Sequence, residues 1–222
     1  MADTQGRKGL SQGKLSVLII AVAVIIDQII KLLVKTNMAI GDQIFITNWF
    51  RILFIENNGM AFGMELFGKL FLSLFRIAAI GFFAWYIRKI ANKGFPTGYM
   101  VTVALIVGGA IGNLVDCMFY GMIFTPSTTG PEGVSELVGI GQGYSSFLYG
   151  KVVDMFYFPL WTWPEWMPLI GGDIFFSPIF NFADSCVTCG TIAILLFYTR
   201  YVNMGTTYRD DSNTNIESDE DK

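Results

Sequence analysis

Four long apolar segments limit this chain to folds that cross a lipid bilayer. They cover residues 15–34, 66–90, 99–120 and 180–202. Each is close to the ~20 residues that an α-helix needs to span the hydrocarbon core. Hydrophobic residues make up 53% of the chain and charged residues only 15%, which is too apolar for a soluble domain. We therefore predict an all-α membrane protein with four transmembrane helices.

Basic residues predict the orientation of these spans. They are concentrated before the first span, between the second and the third, and after the fourth, at Arg7, Lys8, Lys14, Arg88, Lys89, Lys93, Arg200 and Arg209. Cytoplasmic loops carry an excess of Lys and Arg, so we expect both termini in the cytoplasm. Residues 36–65 and 121–179 are then external.

The connections and tails differ in composition. Residues 43–59 are rich in β-branched and aromatic residues and end in a Gly, which predicts short external strands. Residues 122–150 are rich in Gly, Ser and Thr, and we expect a mobile loop there. The aromatic residues of 156–179 favour contact with the lipid headgroup layer. The expected divisions are a cytoplasmic tail at 1–14, a membrane domain at 15–202 that includes the 122–150 insertion, and a disordered acidic cytoplasmic tail at 203–222.

Polar residues from several segments are expected to meet near the external boundary of the membrane. With a rise of ~1.5 Å per residue, Asn113 and Asp116 lie ~22 and ~27 Å from the cytoplasmic start of the third span. The fourth span runs inward, so Asn181 and Asp184 occupy its first turn at the same level. Asp154 belongs to an external segment that returns to the membrane. An ionisable residue at membrane depth is costly, so these side chains form a candidate functional site.

Asp154 and Asp184 are the candidate catalytic residues. The chain has no His, so proton transfer falls to carboxyl groups. Two carboxyl groups held together in a poorly solvated site share one proton and present one acid and one base near neutral pH. Such a pair can activate water for attack on a carbonyl. The helix macrodipole favours the ionised form of Asp184, but the residues alone leave the two roles unassigned.

Asp27 and Lys31 form a second polar group, inside the first span. They are four residues apart on one helical face, which favours an ion pair that neutralises both charges within the bundle. We interpret this pair as structural. The sequence GGAIG at 108–112 lets neighbouring helices approach closely, and we interpret its glycines as packing residues.

Five motifs in order resemble the bacterial lipoprotein signal peptidase family, the aspartic signal peptidases II. They are DQIIK at 27–31, NNGMAF at 57–62, GGAIGNLVD at 108–116, VVD at 152–154 and FNFAD at 180–184. The resemblance extends over about residues 15–202.

The resemblance implies a fold of four helices with a small external β-cradle and a periplasmic surface helix over the active site. It also implies an enzyme of the bacterial cytoplasmic (inner) membrane, active at the external face. That enzyme would remove signal peptides from prolipoproteins by cleaving before a diacylglyceryl-modified cysteine. Asp154 and Asp184 would be its catalytic pair. Positions matching the family's other site residues would bind substrate or support the site, namely Asn57, Gly59, Asn113, Asp116, Asn181 and Ala183.

Two features depart from the family's pattern. Cys117 follows Asp116, where the family usually has an Arg. Another cation could brace the site instead, and Lys151 is the candidate because it is close to Asp154 in sequence. Residues 122–150 stand where the family has a short loop.

A small proton-coupled transporter is the alternative function, since intramembrane Asp residues can relay protons. A structural assembly protein is a third possibility. A transporter should have inverted repeats and carboxylates near the bilayer midplane, and neither feature is visible in the sequence. We expect no metal or other cofactor, no nucleic-acid partner, and a monomer that contacts membrane lipids and prolipoprotein signal peptides.

Overall fold

The computed structural model describes residues 10–58, 68–91 and 93–202. Four of its helices are long and apolar enough to cross a membrane, at Gln12–Lys35, Gly68–Ile90, Thr97–Ile123 and Phe182–Val202. The predicted number of spans is therefore confirmed, and the chain is a multi-pass membrane protein. Gly59, most of the motif NNGMAF and the predicted disordered tail at 203–222 lie outside the described residues.

The helical part is built from α1 at Gln12–Lys35, α2 at Gly68–Ile90, α3 at Thr97–Val115, α4 at Gly121–Ile123 and α5 at Phe182–Ala193. A π-helical turn at Asp116–Tyr120 joins α3 to α4, and another at Ile194–Tyr198 extends α5. Single π-helical turns within α-helices are frequent at functional sites. The first of them begins at Asp116, one of the predicted site residues.

α3 occupies the centre of the helical bundle. Of the residues in its apolar stretch 72% are buried, whereas the other three spans bury at most 22%. α3 packs mainly against α1 and α5. Large apolar side chains remain exposed on the outer helices, for example Leu33, Phe75 and Leu196. Such surfaces suit contact with lipid tails, which are as apolar as Leu.

Two glycines of α3 permit this close packing. A Cβ on Gly109 would lie 2.3 Å from the backbone oxygen of Ala183 on α5. A Cβ on Gly112 would lie 2.6 Å from Oδ2 of Asp27 on α1. Both distances are too short for a real contact, so only Gly fits at either position. The predicted packing role of these glycines is confirmed, and it brings α1 and α5 to the residues of the candidate site.

Within the described residues, six short strands lie outside the spans. They are β1 at Gln43–Phe45, β2 at Arg51–Asn57, β3 at Val152–Tyr157, β4 at Trp161–Thr162, β5 at Ile174–Phe175 and β6 at Ile179–Phe180. Four of them form an antiparallel sheet in the order β1-β2-β3-β6, and β4 pairs with β5. The predicted strands within 43–59 are therefore present. In the register of β2 and β3, Ile55 lies opposite Asp154.

The predicted surface helix is not found in the described residues that connect the spans, 36–58 and 124–181. In the aromatic segment 156–179, the chain forms the β4–β5 hairpin instead. Trp161 and Phe175 stack there with ring centroids 3.9 Å apart, so cross-strand aromatic pairing stabilises the strands. Residues 59–67, which precede α2, are not described. Contact of the hairpin with lipid stays a prediction.

Residues 124–150 form a loop, as predicted, with turns and an isolated bridge between Phe124 and Leu137; its mobility stays a prediction. Its backbone is tied to the end of the third span, where the Ser145 N–H donates to the Gly121 oxygen at 2.7 Å and the Gly150 N–H to the Cys117 oxygen at 2.9 Å. Ser127 is buried, with 4% of its surface exposed. The glycines that predict a loop also allow close packing, since a Cβ on Gly150 would lie 2.1 Å from the Asp116 oxygen.

Candidate active site

The sheet places Asp154 in its interior. β3 is flanked by β2 and β6, and only 2% of the Asp154 surface is exposed. The side-chain amide of Asn181 donates to its Oδ1 at 2.7 Å. The side-chain amide of Asn57, at the end of β2, donates to its Oδ2 at 3.2 Å. Each carboxyl oxygen of Asp154 therefore has a neutral amide donor.

Asp184 lies in the first turn of α5, as predicted. It forms a capping box with Asn181: the Asp184 N–H donates to Asn181 Oδ1 at 2.9 Å, and the Asn181 N–H donates to Asp184 Oδ2 at 3.3 Å. The side-chain amide of Asn113 donates to Asp184 Oδ1 at 2.7 Å. Asp184 is only partly buried, unlike Asp154. Its two carboxyl oxygens therefore accept hydrogen bonds from α3 and from the backbone at the start of α5.

Two asparagines connect the two aspartates. Asn181 is fully buried, and its amide nitrogen donates to Asn113 Oδ1 at 3.0 Å in addition to Asp154. Asn113 in turn donates to Asp184. A continuous set of hydrogen bonds therefore runs from Asp154 through Asn181 and Asn113 to Asp184. The four side chains come from β3, α3 and the start of α5.

Lys31 forms the centre of a buried ionic group. Its Nζ lies 2.9 Å from Asp27 Oδ2 and 2.8 Å from Asp116 Oδ2, and it donates to Asn113 Oδ1 at 2.8 Å. These contacts use the three donors of an ammonium group. The predicted Asp27–Lys31 ion pair is present, but it includes Asp116 and it fixes the amide orientation of Asn113.

The two carboxylates of this group also hold the backbone on which the catalytic candidates lie. Asp27 Oδ1 accepts a hydrogen bond from the Ala183 N–H at 2.9 Å, directly before Asp184. Asp116 Oδ2 accepts one from the Val153 N–H at 3.2 Å, directly before Asp154. One lysine with its two partners thus fixes the relative position of α5 and β3.

Burial raises the pKa of Asp154, and the nearby Asp184 carboxylate raises it further, to about 7. The hydrogen bonds from Asn57 and Asn181 favour the ionised form and limit the rise. Asp154 is therefore able to carry a proton near neutral pH. The division of acid and base between the two aspartates stays a prediction.

The sequence suggested Lys151 as the cation that braces the site beside Asp154, but its ion pair is with Glu56. The Lys151 Nζ lies 3.1 Å from Glu56 Oε2. The cation that reaches Cys117 is Arg76 of α2, whose Nη1 lies 3.1 Å from Cys117 Sγ. Sequence spacing could not reveal this contact, because the two residues are 41 positions apart.

Sequence reasoning missed two further residues next to the site. Gln28 donates to Asp116 Oδ1 at 2.9 Å and so completes the hydrogen bonds of that buried carboxylate. Glu56 directly precedes Asn57 and forms ion pairs with two lysines, Lys35 and Lys151. Burial raises the pKa of Glu56, but these positive charges outweigh it and hold the pKa below its ordinary value. The sequence held one sign of this ion pair, because Lys35 lies in an apolar run four residues after Lys31 and needs an acidic partner there.

The chain matches known peptidases over most of its length. The family model described as Signal peptidase (SPase) II matches residues 19–200. The lipoprotein signal peptidase of Porphyromonas gingivalis is 45% identical over 201 residues, which are 88% of this chain and 87% of that protein. The lipoprotein signal peptidase of Amoebophilus asiaticus is 35% identical over 184 residues, which are 78% of this chain and 73% of that protein.

Solved structures agree with these matches. One, described as a bacterial membrane enzyme determined by the in meso method at 1.9 Å resolution, has a TM-score of 0.55 and 27% identity. The alignment covers 82% of this chain and 90% of that one. Another with the same description, at 2.3 Å, has a TM-score of 0.57 and 25% identity, and covers 89% and 93%. Fold, motifs and sequence identity agree, and the chain belongs to the signal peptidase II family.

Proposed function

We propose that Asp154 and Asp184 are the catalytic pair of this peptidase. Family membership makes the chain a membrane enzyme that removes signal peptides from prolipoproteins. The observation that supports the pair is the hydrogen-bonded connection between a buried and a partly buried carboxyl group. The same two residues were selected from the sequence by their level in the membrane.

The different surroundings of the two carboxyl groups support different roles. Asp154 is buried, and its pKa of about 7 leaves it largely protonated at slightly acidic pH. Asp184 accepts donors from Asn113 and from the Asn181 backbone, which favour a carboxylate. We assign Asp184 as the general base and Asp154 as the general acid.

Hydrolysis then requires no group beyond the two carboxyls and one water molecule. Asp184 takes a proton from the water as its oxygen attacks the scissile carbonyl carbon, while Asp154 gives its proton to the carbonyl oxygen. The resulting gem-diol breaks its C–N bond. The leaving nitrogen receives the proton from Asp184, and Asp154 recovers a proton from a hydroxyl of the gem-diol. Both carboxyl groups end in their starting states.

The asparagines and Lys31 keep this pair in place during the reaction. Asn113 and Asn181 offer hydrogen bonds that need no reorganisation as charge moves between the aspartates. Lys31 fixes Asn113 and offsets the charge of Asp27 and Asp116. Asn57 supports Asp154 from the sheet.

The scissile bond precedes a diacylglyceryl-modified cysteine, in this proposal, and the site faces the external side of the bacterial cytoplasmic membrane. Arg88 and Lys89 at the end of α2 support this orientation, since they mark the opposite, cytoplasmic end of the bundle. Asp184, at the start of α5, lies where the sheet joins the helices. A lipid-anchored substrate would reach this level from the outer leaflet. The enzyme would act on it as a monomer.

The transporter alternative is not supported, because the reported relatives are lipoprotein signal peptidases. The function is tested by incubating the purified chain in detergent with one precursor in two forms, with and without the diacylglyceryl group. We expect cleavage of the modified form only, and mass spectrometry should locate the cut before the modified cysteine. Equal cleavage of both forms, or a cut elsewhere, would contradict the proposed specificity.

A further inference from the structure

A second buried ionic cluster lies outside the catalytic pair and the Lys31 group. Lys35, the last residue of α1, pairs with Glu56 Oε1 at 2.5 Å. Lys151 pairs with the other oxygen of Glu56 at 3.1 Å. Ser127, from the 122–150 segment, accepts from Lys35 at 3.0 Å and donates to Glu56 Oε1 at 2.9 Å. We call these four residues the Lys35 cluster.

The Lys35 cluster is too deeply buried to be an ordinary surface ion pair. The Lys35 side chain is 0% exposed and that of Glu56 2% exposed. The rings of Phe124 and Tyr144 lie 5.2 and 5.3 Å from the Lys35 Nζ. Removing two charges from water opposes folding before they pair, and apolar residues could fill the same space. Folding alone therefore does not account for the charged residues.

Glu56 connects this cluster to the active site through the backbone of β2. It directly precedes Asn57, whose side-chain amide donates to Asp154 Oδ2 at 3.2 Å. Successive side chains on a strand point to opposite faces. Holding Glu56 on one face therefore fixes the rotation of the strand and directs Asn57 towards the other face. The register agrees, because Ile55, two residues before Asn57, lies opposite Asp154.

The 122–150 segment also helps to hold Glu56 in the Lys35 cluster. Ser127 bonds both members of the buried ion pair, and the Ile40 N–H donates to the Thr128 oxygen at 2.9 Å. These contacts hold the segment against the end of α1 and against β2. The segment therefore bonds Glu56, the residue directly before Asn57, whose side chain donates to Asp154.

We propose that Lys35, Glu56 and Ser127 are positioning residues that hold the Asn57 amide against Asp154, and that the 122–150 segment is in this way part of the catalytic apparatus. The inference rests on the proposed function, since it requires Asp154 to be catalytic. The charged groups that act electrostatically on Asp154 are Asp184 on α5 and Lys31 on α1. The Lys35 cluster acts on Asp154 through an amide instead.

A double-mutant cycle between Glu56 and Asn57 tests the inference. We expect Glu56→Gln to lower kcat for the lipidated precursor about tenfold with KM unchanged, which corresponds to one lost hydrogen bond to a charged group. In an Asn57→Ala background the same substitution should change kcat less than twofold. A residue that only stabilises the fold would lower the melting temperature and the amount of active enzyme, and its effect would not depend on Asn57.

Ser127→Ala keeps the proposal testable if Glu56→Gln does not fold, because it removes hydrogen bonds while leaving every charge in place. It should lower kcat about threefold in the wild type and not in Asn57→Ala. Glu136→Gln, an exposed acid in the same segment, is the matched control and should leave kcat unchanged. Additive effects with Asn57→Ala, or an unchanged kcat for Ser127→Ala, would overturn the inference. Full activity of Asp154→Asn would instead overturn the proposed function.

Discussion

At the scale of single residues, the two aspartates have the same side chain in different surroundings. Asp154 is buried, which favours its neutral form. Asp184 lies at a helix N-terminus, is partly buried and accepts a hydrogen bond from the amide of Asn113. Neutral amides are suitable connectors, because they bind either protonation state without adding charge to the site.

The pH dependence of the reaction follows from the pKa of Asp154. In the proposed mechanism the protonated form of Asp154 is the active one, so kcat/KM should fall as pH rises through about 7. Asn57 donates to Asp154 and favours its ionised form, so Asn57→Ala should move this fall to higher pH. The measurement is a pH profile of both enzymes on the lipidated precursor. A fall at the same pH in both would contradict the assignment of Asp154 as the titrating acid.

The raised pKa of Asp154 also makes the stability of the folded chain depend on pH. The pKa of Asp154 is higher in the folded chain, at about 7, than its ordinary value of 3.8. The folded state therefore binds this proton more tightly than the unfolded state does. Its contribution favours folding at low pH and is lost as pH rises between these two values.

At the scale of elements, α1 is the support for three parts of the site. Asp27, Lys31 and Lys35 recur every four residues along one helical face. Asp27 holds the start of α5, Lys31 holds α3, and Lys35 holds β2. The spacing of these residues was visible in the sequence, and it predicted one ion pair correctly.

The partners on other elements could not be predicted in the same way. Glu56 is 21 positions from Lys35, and Ser127 is 92 positions from it, with no periodicity between them. The composition of 122–150 predicted a loop, because Gly and Ser favour turns as well as tight packing. By contrast, the sequence pointed to Asp154 and Asp184, since a carboxylate at membrane depth is rare, and the structure joins both to one set of hydrogen bonds. Their catalytic role stays a prediction.

Helix packing around α3 gives a prediction at this scale. Gly109→Ala would place a Cβ 2.3 Å from a backbone oxygen of α5, and backbone atoms cannot move aside cheaply. We expect a loss of stability of about 1–3 kcal/mol. Gly81→Ala in α2 is the matched control, because nothing lies within 4 Å of its Cβ position. That change should stabilise the helix by about 0.5–1 kcal/mol.

Thermal melting of both variants in detergent makes the comparison. A melting temperature of Gly109→Ala at or above that of the wild type would show that α3 and α5 can separate freely. Reduced cleavage should accompany the loss of stability, because α5 bears Asp184 and its start lies next to Gly109.

At the scale of the whole molecule, the polar groups are concentrated where the helices meet the sheet, and the outward helix faces are apolar. Two buried ionic groups, centred on Lys31 and Lys35, join spans that the membrane would hold together only loosely. The sheet and the 122–150 segment cover one end of the bundle through these groups. The residues that connect the spans are therefore bonded to the helical core through buried ion pairs.

The cleavage rate of aspartate variants tests the central claim most directly. Asp154→Asn and Asp184→Asn keep the shape of the side chain and remove its ability to carry a proton. Each should lower kcat on the lipidated precursor by at least ~10²–10⁴ while the melting temperature stays close to that of the wild type. The double variant should be hardly slower than either single one, because the two groups act as a unit. Asp173→Asn, on the exposed hairpin, should cleave normally. Near-wild-type turnover by either Asp154→Asn or Asp184→Asn would contradict the catalytic pair.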